Sequence, residues 1–147
     1  RPDAETLRQI LMTTTGSTQP AIDTVFTREE LQEYQDLLRT VPMAAPAIDR
    51  VVELVEATHG HPQLRLGSSP RGAQAMTLAA KGYALSAGRP NVELEDVERA
   101  ALPALRHRLL LAFEAQVEGV TTDEVITEIA RGAKGSRRGL VRPRSGA

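Results

Sequence analysis

The chain has 147 residues, 41% hydrophobic and 3% aromatic, with no Trp and no Cys. That is about one domain's worth of chain with a core built from Ala, Val, Leu and Ile, and it excludes disulfides and thiolate metal sites. Six of the 18 basic residues and none of the 19 acidic ones lie in residues 131–147. Residues 1–130 therefore hold 12 basic and 19 acidic residues, a net of −7, beneath a whole-chain charge of −1. An acidic body repels phosphate backbones, which argues against a nucleic-acid-binding domain. No apolar run approaches the roughly 20 residues that span a bilayer. The N-terminus is Arg-Pro-Asp, without an initiator Met or an apolar signal region, as in a piece of a longer protein. The missing cysteine fits a reducing compartment, and a cytoplasmic location is expected.

Taken in chain order, residues 3–13 read as a short helix capped by Asp3, with Leu7, Ile10 and Leu11 on one face. Thr13 to Thr24 is rich in Thr, Ser, Gly and Pro and reads as a loop. Thr27 and Glu30 form a capping-box pattern that opens a helix to about Arg39, with Leu31, Tyr34, Leu37 and Leu38 on one face. Pro42 and Pro46 should break the chain. A helix from Ala47 to about Thr58 carries Ile48, Val51, Val52 and Val55, with Leu54 beside them.

Gly60, Pro62, Gly67 and Pro70 bracket a loop in which Leu64-Arg65-Leu66 is a short extended piece. Pro70 suits the first turn of a helix to about Ala87, carrying Met76, Ala79, Ala80, Tyr83, Ala84 and Ala87, with Gly88 as its stop. A further helix starts near Leu94 with Glu95 and Asp96 in its first turn. It should reach about Phe113 through a kink at Pro103. The last helix, Thr122 to Ala130, places Val125, Ile126 and Ile129 together. No strand alternation of any length is present, so the fold class is all-α, a small helical bundle. The tail, residues 131–147, combines its cations with Gly132, Gly135, Gly139, Pro143 and Gly146 and too little apolar surface to offset ordering, so it is expected to be disordered.

Most chemical signatures are absent. There is no G-x-x-x-x-G-K-[ST] loop to cradle phosphates and no aliphatic run ending in Asp-Glu to hold Mg²⁺. His59 and His61 flank Gly60 in a loop, where a metal site would need further ligands placed by the fold; such a pair of loop histidines is more often solvent-exposed. Ser68, Ser69 and His107 have no G-x-S-x-G elbow, and serines before a helix usually serve as caps. One segment stands out, Leu66-Gly67-Ser68-Ser69-Pro70-Arg71-Gly72. Here Gly67 would permit a sharp turn, a serine would cap the helix, and Arg71 would fall in its first turn. A cation at the positive end of a helix dipole is misplaced unless an anion sits beside it. Two readings follow: Arg71 pairs with a surface carboxylate, or it is held for a phosphate.

Four segments carry a resemblance to a family. Leu66-Gly67-Ser68-Ser69-Pro70-Arg71 resembles the L-G-x-S-P-R segment of MoxR-type AAA+ ATPases. Ala87-Gly88-Arg89-Pro90-Asn91-Val92 resembles the small-Gly-Arg-x-x-Val turn of that family, Glu95-Asp96-Val97 its next helix start, and Leu105-Arg106-His107-Arg108-Leu109 its L-R-H-R-L segment. Order and spacing fit over about residues 45–130. The resemblance implies an AAA+ C-terminal lid domain over 45–130. Residues 1–44 would lead in from an ATPase core, and 131–147 form a basic tail that matches no segment of the family.

It further implies that Arg71 is the sensor 2 arginine, reaching the γ-phosphate of ATP, with Mg²⁺ held by the core. Arg106 and Arg108 would mark a lid-core or subunit contact. The core's P-loop, Mg²⁺-binding acids and arginine finger are not in this sequence, so the chain alone should not hydrolyse ATP. The family is regarded as chaperone-like and forms rings, often paired with von Willebrand factor A-domain proteins. An independent helical interaction module with a basic tail is the alternative.

Overall fold

The structure, a computed structural model, describes residues 1–16 and 23–132. The expected disorder of the basic tail fails at Arg131 and Gly132, which continue the last helix, Thr122–Gly132, and otherwise lies outside the described residues. The chain divides into two compact units, Arg1–Gln32 and Glu33–Ala147. In the first unit, α1 (Ala4–Thr14) begins as the sequence predicts, because the Asp3 carboxylate accepts the Thr6 N–H at 2.8 Å. The hydroxyls of Thr13, Thr14 and Thr15 donate back to carbonyls of the preceding turn at its other end. Leu7, Ile10 and Leu11 are all exposed. Helix α2 (Arg28–Thr40) opens on the predicted capping box: the Thr27 hydroxyl accepts the Glu30 N–H at 3.1 Å, and the Glu30 carboxylate accepts the Thr27 N–H at 2.7 Å.

The second unit holds the core. Helix α3 (Ala45–Glu56) starts two residues earlier than the sequence suggests. Pro46 lies in its first turn, where a missing N–H removes no intrahelical bond, so it opens this helix instead of breaking the chain. Helix α4 (Pro70–Ser86) packs most extensively on α5 (Leu94–Leu105), and α7 (Thr122–Gly132) closes over α5. Met76, Ala80 and Ala84 of α4 meet Val97, Ala100, Ala101, Ala104 and Leu105 of α5. Alanines on both faces let the two backbones approach closely, which is how a chain nearly without aromatics fills its interior. Val51, Leu54 and Val55 of α3 and Val125, Ile126 and Ile129 of α7 complete the core.

The predicted helix to Phe113 is two elements too long. Helix α5 ends at Leu105, two residues past Pro103, and the chain turns through Arg106-His107-Arg108. It then pairs as β2 (Leu110–Leu111) with β1 (Leu64–Leu66) in an antiparallel ribbon, in which Leu64 faces Leu111 and Leu66 faces Leu110. A short helix α6 (Phe113–Val117) follows. Pro103 lies inside α5, where it removes the bond that an N–H there would donate to the Arg99 carbonyl, and the helix ends two residues later. The fold remains all-α in character, since the ribbon is two strands of three and two residues.

Gly88 stops α4 as predicted. It adopts φ +67°, its N–H donates to the Leu85 carbonyl, and the Arg89 N–H donates to the Ala84 carbonyl, both at 2.9 Å. These two bonds make a Schellman motif, which satisfies carbonyls left over at the helix end.

Candidate functional site

The segment singled out in the sequence lies where α3 ends and α4 begins. Thr58, two residues past α3, is 1% exposed and Ser68 is 0% exposed. The Thr58 hydroxyl donates to the Val55 carbonyl at 2.6 Å and accepts the Ser68 N–H at 2.8 Å. Gly67 lies against the same threonine: a Cβ there would stand 2.8 Å from both the Thr58 carbonyl and its hydroxyl oxygen. Gly67 does not adopt positive φ. The glycine is therefore required for close approach, and the predicted need for a sharp turn is not what selects it.

Gly72 is equally confined. A Cβ on it would stand 1.9 Å from the Ser68 hydroxyl and 3.2 Å from a methyl of Leu105 on α5. Ser69 occupies the N-cap position of α4, yet its side chain makes no capping bond. Ser68 is buried and its hydroxyl donates to the Ser69 carbonyl at 3.3 Å. Neither serine thus caps the helix through its side chain, contrary to the sequence reading. The start of α4 is held by tertiary contacts instead.

Arg71 projects from this fixed first turn. It is exposed and has no ion-pair partner among the described residues. Arg65 is exposed and without an ion pair as well, so exposure alone does not mark Arg71. Its position does: a guanidinium on an immobilised helix start, beside backbone N–H groups that no side chain caps, presents positive charge from two sources. That arrangement fits an anion with several acceptor oxygens.

The other arginines of the resemblance are engaged within the unit. Arg89 grips Asp96 through both nitrogens, at 2.6 and 2.5 Å, and lies 3.3 Å from Glu93. Asp96 is buried and also accepts the Glu93 N–H at 2.9 Å, as part of the box that opens α5. The Arg89 guanidinium, with help from the Glu93 N–H, holds the Asp96 carboxyl below the usual carboxylate range, and the pairing pushes Arg89 up. Arg106 pairs with Asp123 of α7 at 2.7 Å, and Arg108 donates to the Ala104 carbonyl at 2.9 Å. Among the described residues no group of three or more His, Asp or Glu side chains is placed to hold a metal ion.

The sequence reading missed two residues. Thr58 closed a predicted helix without a role. Arg50 is 1% exposed, bonding Glu53 at 2.8 Å, Glu98 at 3.4 Å and the Ala130 carbonyl at 2.9 Å, while its Nε has no partner among the described residues. It ties α3 to α5 and α7. Its signal was available: Arg50 shares the helical face of Ala47, Val51 and Leu54, with an acid three residues on.

Comparison with known proteins agrees with this architecture. The profile of the AAA lid domain family matches residues 56–129. The uncharacterized protein YeaC of Bacillus subtilis is 33% identical over 113 residues, covering 77% of this chain and 35% of its own length. Chaperone MoxR1 of Mycobacterium tuberculosis is 28% identical over 137 residues, covering 87% of this chain and 36% of its own. The crystal structure of a Cytophaga hutchinsonii protein assigned to the ATPases superposes with a TM-score of 0.73 at 24% identity, over 88% of this chain and 42% of that one. The chain belongs to the AAA lid domain family, as a lid of the MoxR type. It spans about a third of the length of the curated relatives that it matches.

Proposed function

We propose that this lid closes over ATP held by the AAA+ core of a longer MoxR-type protein, with Arg71 as the sensor 2 residue that reaches the γ-phosphate. Residues 45–130 form the lid proper in this reading and 1–44 lead in from the core. Mg²⁺ and the hydrolytic residues belong to the core. The observation that carries the proposal is the placement of Arg71: exposed, without an ion pair among the described residues, and fixed to a helix start that the interior locks. Such an arginine needs an anion from outside the lid, and a nucleotide phosphate meets that need bidentately.

Ile48, Val52 and Leu78, exposed on α3 and α4, give the lid an apolar surface to set against another body. The core of the same protein is the first partner for it. Assembly into a ring of like subunits, pairing with a von Willebrand factor A-domain protein and a cytoplasmic location complete the reading. Among the described residues no helix is long and apolar enough to cross a membrane.

The test is steady-state ATP hydrolysis by the full-length protein. Arg71→Ala should lose about tenfold or more in rate, the range of a single electrostatic group, with an unchanged melting temperature. Arg71→Lys should recover only part of the loss, because an ammonium lacks the planar fork. An unchanged rate in Arg71→Ala would refute the assignment.

A further inference from the structure

We infer that Thr58 is a positioning residue for Arg71: its buried hydroxyl fixes the segment that aims this arginine. The inference rests on the sensor reading of Arg71 given above.

Three observations converge on the threonine. Helix α4 lacks the side-chain cap that ordinarily fixes where a helix begins and how the chain enters it. Its entry is instead pinned by one long-range bond, the Ser68 N–H to the Thr58 hydroxyl oxygen, between two residues at most 1% exposed. The same hydroxyl has its proton committed to the Val55 carbonyl at the end of α3, so its lone pair points in a fixed direction. The neighbouring glycines bring the backbone of the segment into close contact with the same residues, with no space for a side chain. Gly67 is closed off by Thr58 itself, and Gly72 is closed off by Ser68 and Leu105.

Arg71 lies three residues beyond Ser68, and Pro70 between them has a fixed φ. A displacement at Ser68 is therefore carried into the first turn of α4. Thr58 touches neither nucleotide nor Arg71 in this account; it acts through the backbone. Placement errors of about 1 Å at a group far from the chemistry are enough to cost two orders of magnitude in rate.

The experiment uses the full-length protein and four variants, Arg71→Ala, Thr58→Val, Thr58→Ser and Thr58→Val/Arg71→Ala. ATP turnover is measured well below the melting temperature of each. Valine keeps the shape and removes the hydroxyl, so Thr58→Val should lower turnover about tenfold. Thr58→Ser, which retains the hydroxyl, should restore it. In the double variant Thr58→Val should add nothing to the loss from Arg71→Ala, since there is no arginine left to aim.

Gly67→Ala presses the same bond from the other side and should repeat the pattern. It decides the matter if Thr58→Val does not fold. A full multiplicative loss in the double variant, or normal turnover in Thr58→Val and Gly67→Ala, would overturn the positioning role while leaving Arg71 as the sensor. Normal turnover in Arg71→Ala alone would remove the sensor reading, and the positioning role with it.

Discussion

Gly72 and Gly88 show two unrelated reasons for a glycine. At Gly72 the backbone is ordinary and the space is gone, with Ser68 oxygen 1.9 Å from where a Cβ would stand. Gly72→Ala should therefore destabilise the lid by about 1–3 kcal/mol, the usual cost of overpacking. Ser68→Ala should return part of that loss in the double variant, since the oxygen is the nearest obstacle; chemical denaturation of the four proteins measures the coupling. At Gly88 the space is open and the backbone is the constraint, at φ +67°. Gly88→Ala should cost about 1 kcal/mol with no compensating partner.

Arg50 makes the same point for charge. Its burial with bonds to Glu53, Glu98 and the Ala130 carbonyl means that Arg50→Ala loses packing and bonds together, about 2–4 kcal/mol. Arg50→Met, which keeps the stem and leaves no bare donor, should cost less. Urea melts of the two variants decide the order.

At the scale of elements, helix ends were more legible than helix packing. Asp3, Thr27 with Glu30, and Gly88 were readable because a cap is a local rule that a few adjacent residues satisfy. The end of α5 was not, because Leu110 and Leu111 break from helical continuation to pair with Leu64 to Leu66, more than 40 positions earlier. Thr58 was hidden for the same reason: its partner Ser68 is ten residues on, across a loop. Arg71 was legible as an odd cation at a helix start, but the lock that fixes it was not.

The start of α5 carries a dependence on acid. Arg89 holds the Asp96 carboxyl below its ordinary value of about 3.9. The stability this contributes is complete above that ordinary value and is lost as pH falls through the lower folded-state value. Melting temperature should thus fall as pH drops below about 4, and Asp96→Asn should melt lower at neutral pH with a shallower acid slope. Some slope should persist, because Thr27 and Thr121 lower Glu30 and Glu124 in the same sense.

For the whole molecule, the fold separates a locked interior from a surface that is incomplete alone. Alanine-rich faces on α4 and α5 make a rigid pair, Arg89 fastens the turn between them to the start of α5, and Arg50 ties α3 and α7 to the pair. On that body Arg71 is an exposed cation without an ion-pair partner among the described residues, and Ile48, Val52 and Leu78 are exposed apolar side chains. Both features are accounted for if the lid is one half of a nucleotide site. In the proposed reading Arg71 recognises the γ-phosphate in particular. Its most direct test is the ratio of affinities of the full-length protein for a non-hydrolysable ATP analogue and for ADP, compared between wild type and Arg71→Ala. A charged hydrogen bond to phosphate is worth about 1.5–3 kcal/mol, roughly tenfold or more in binding. The account predicts that the preference for the triphosphate falls by at least that factor in Arg71→Ala while ADP affinity is nearly kept. An unchanged ratio, or an equal loss for both nucleotides, would contradict it.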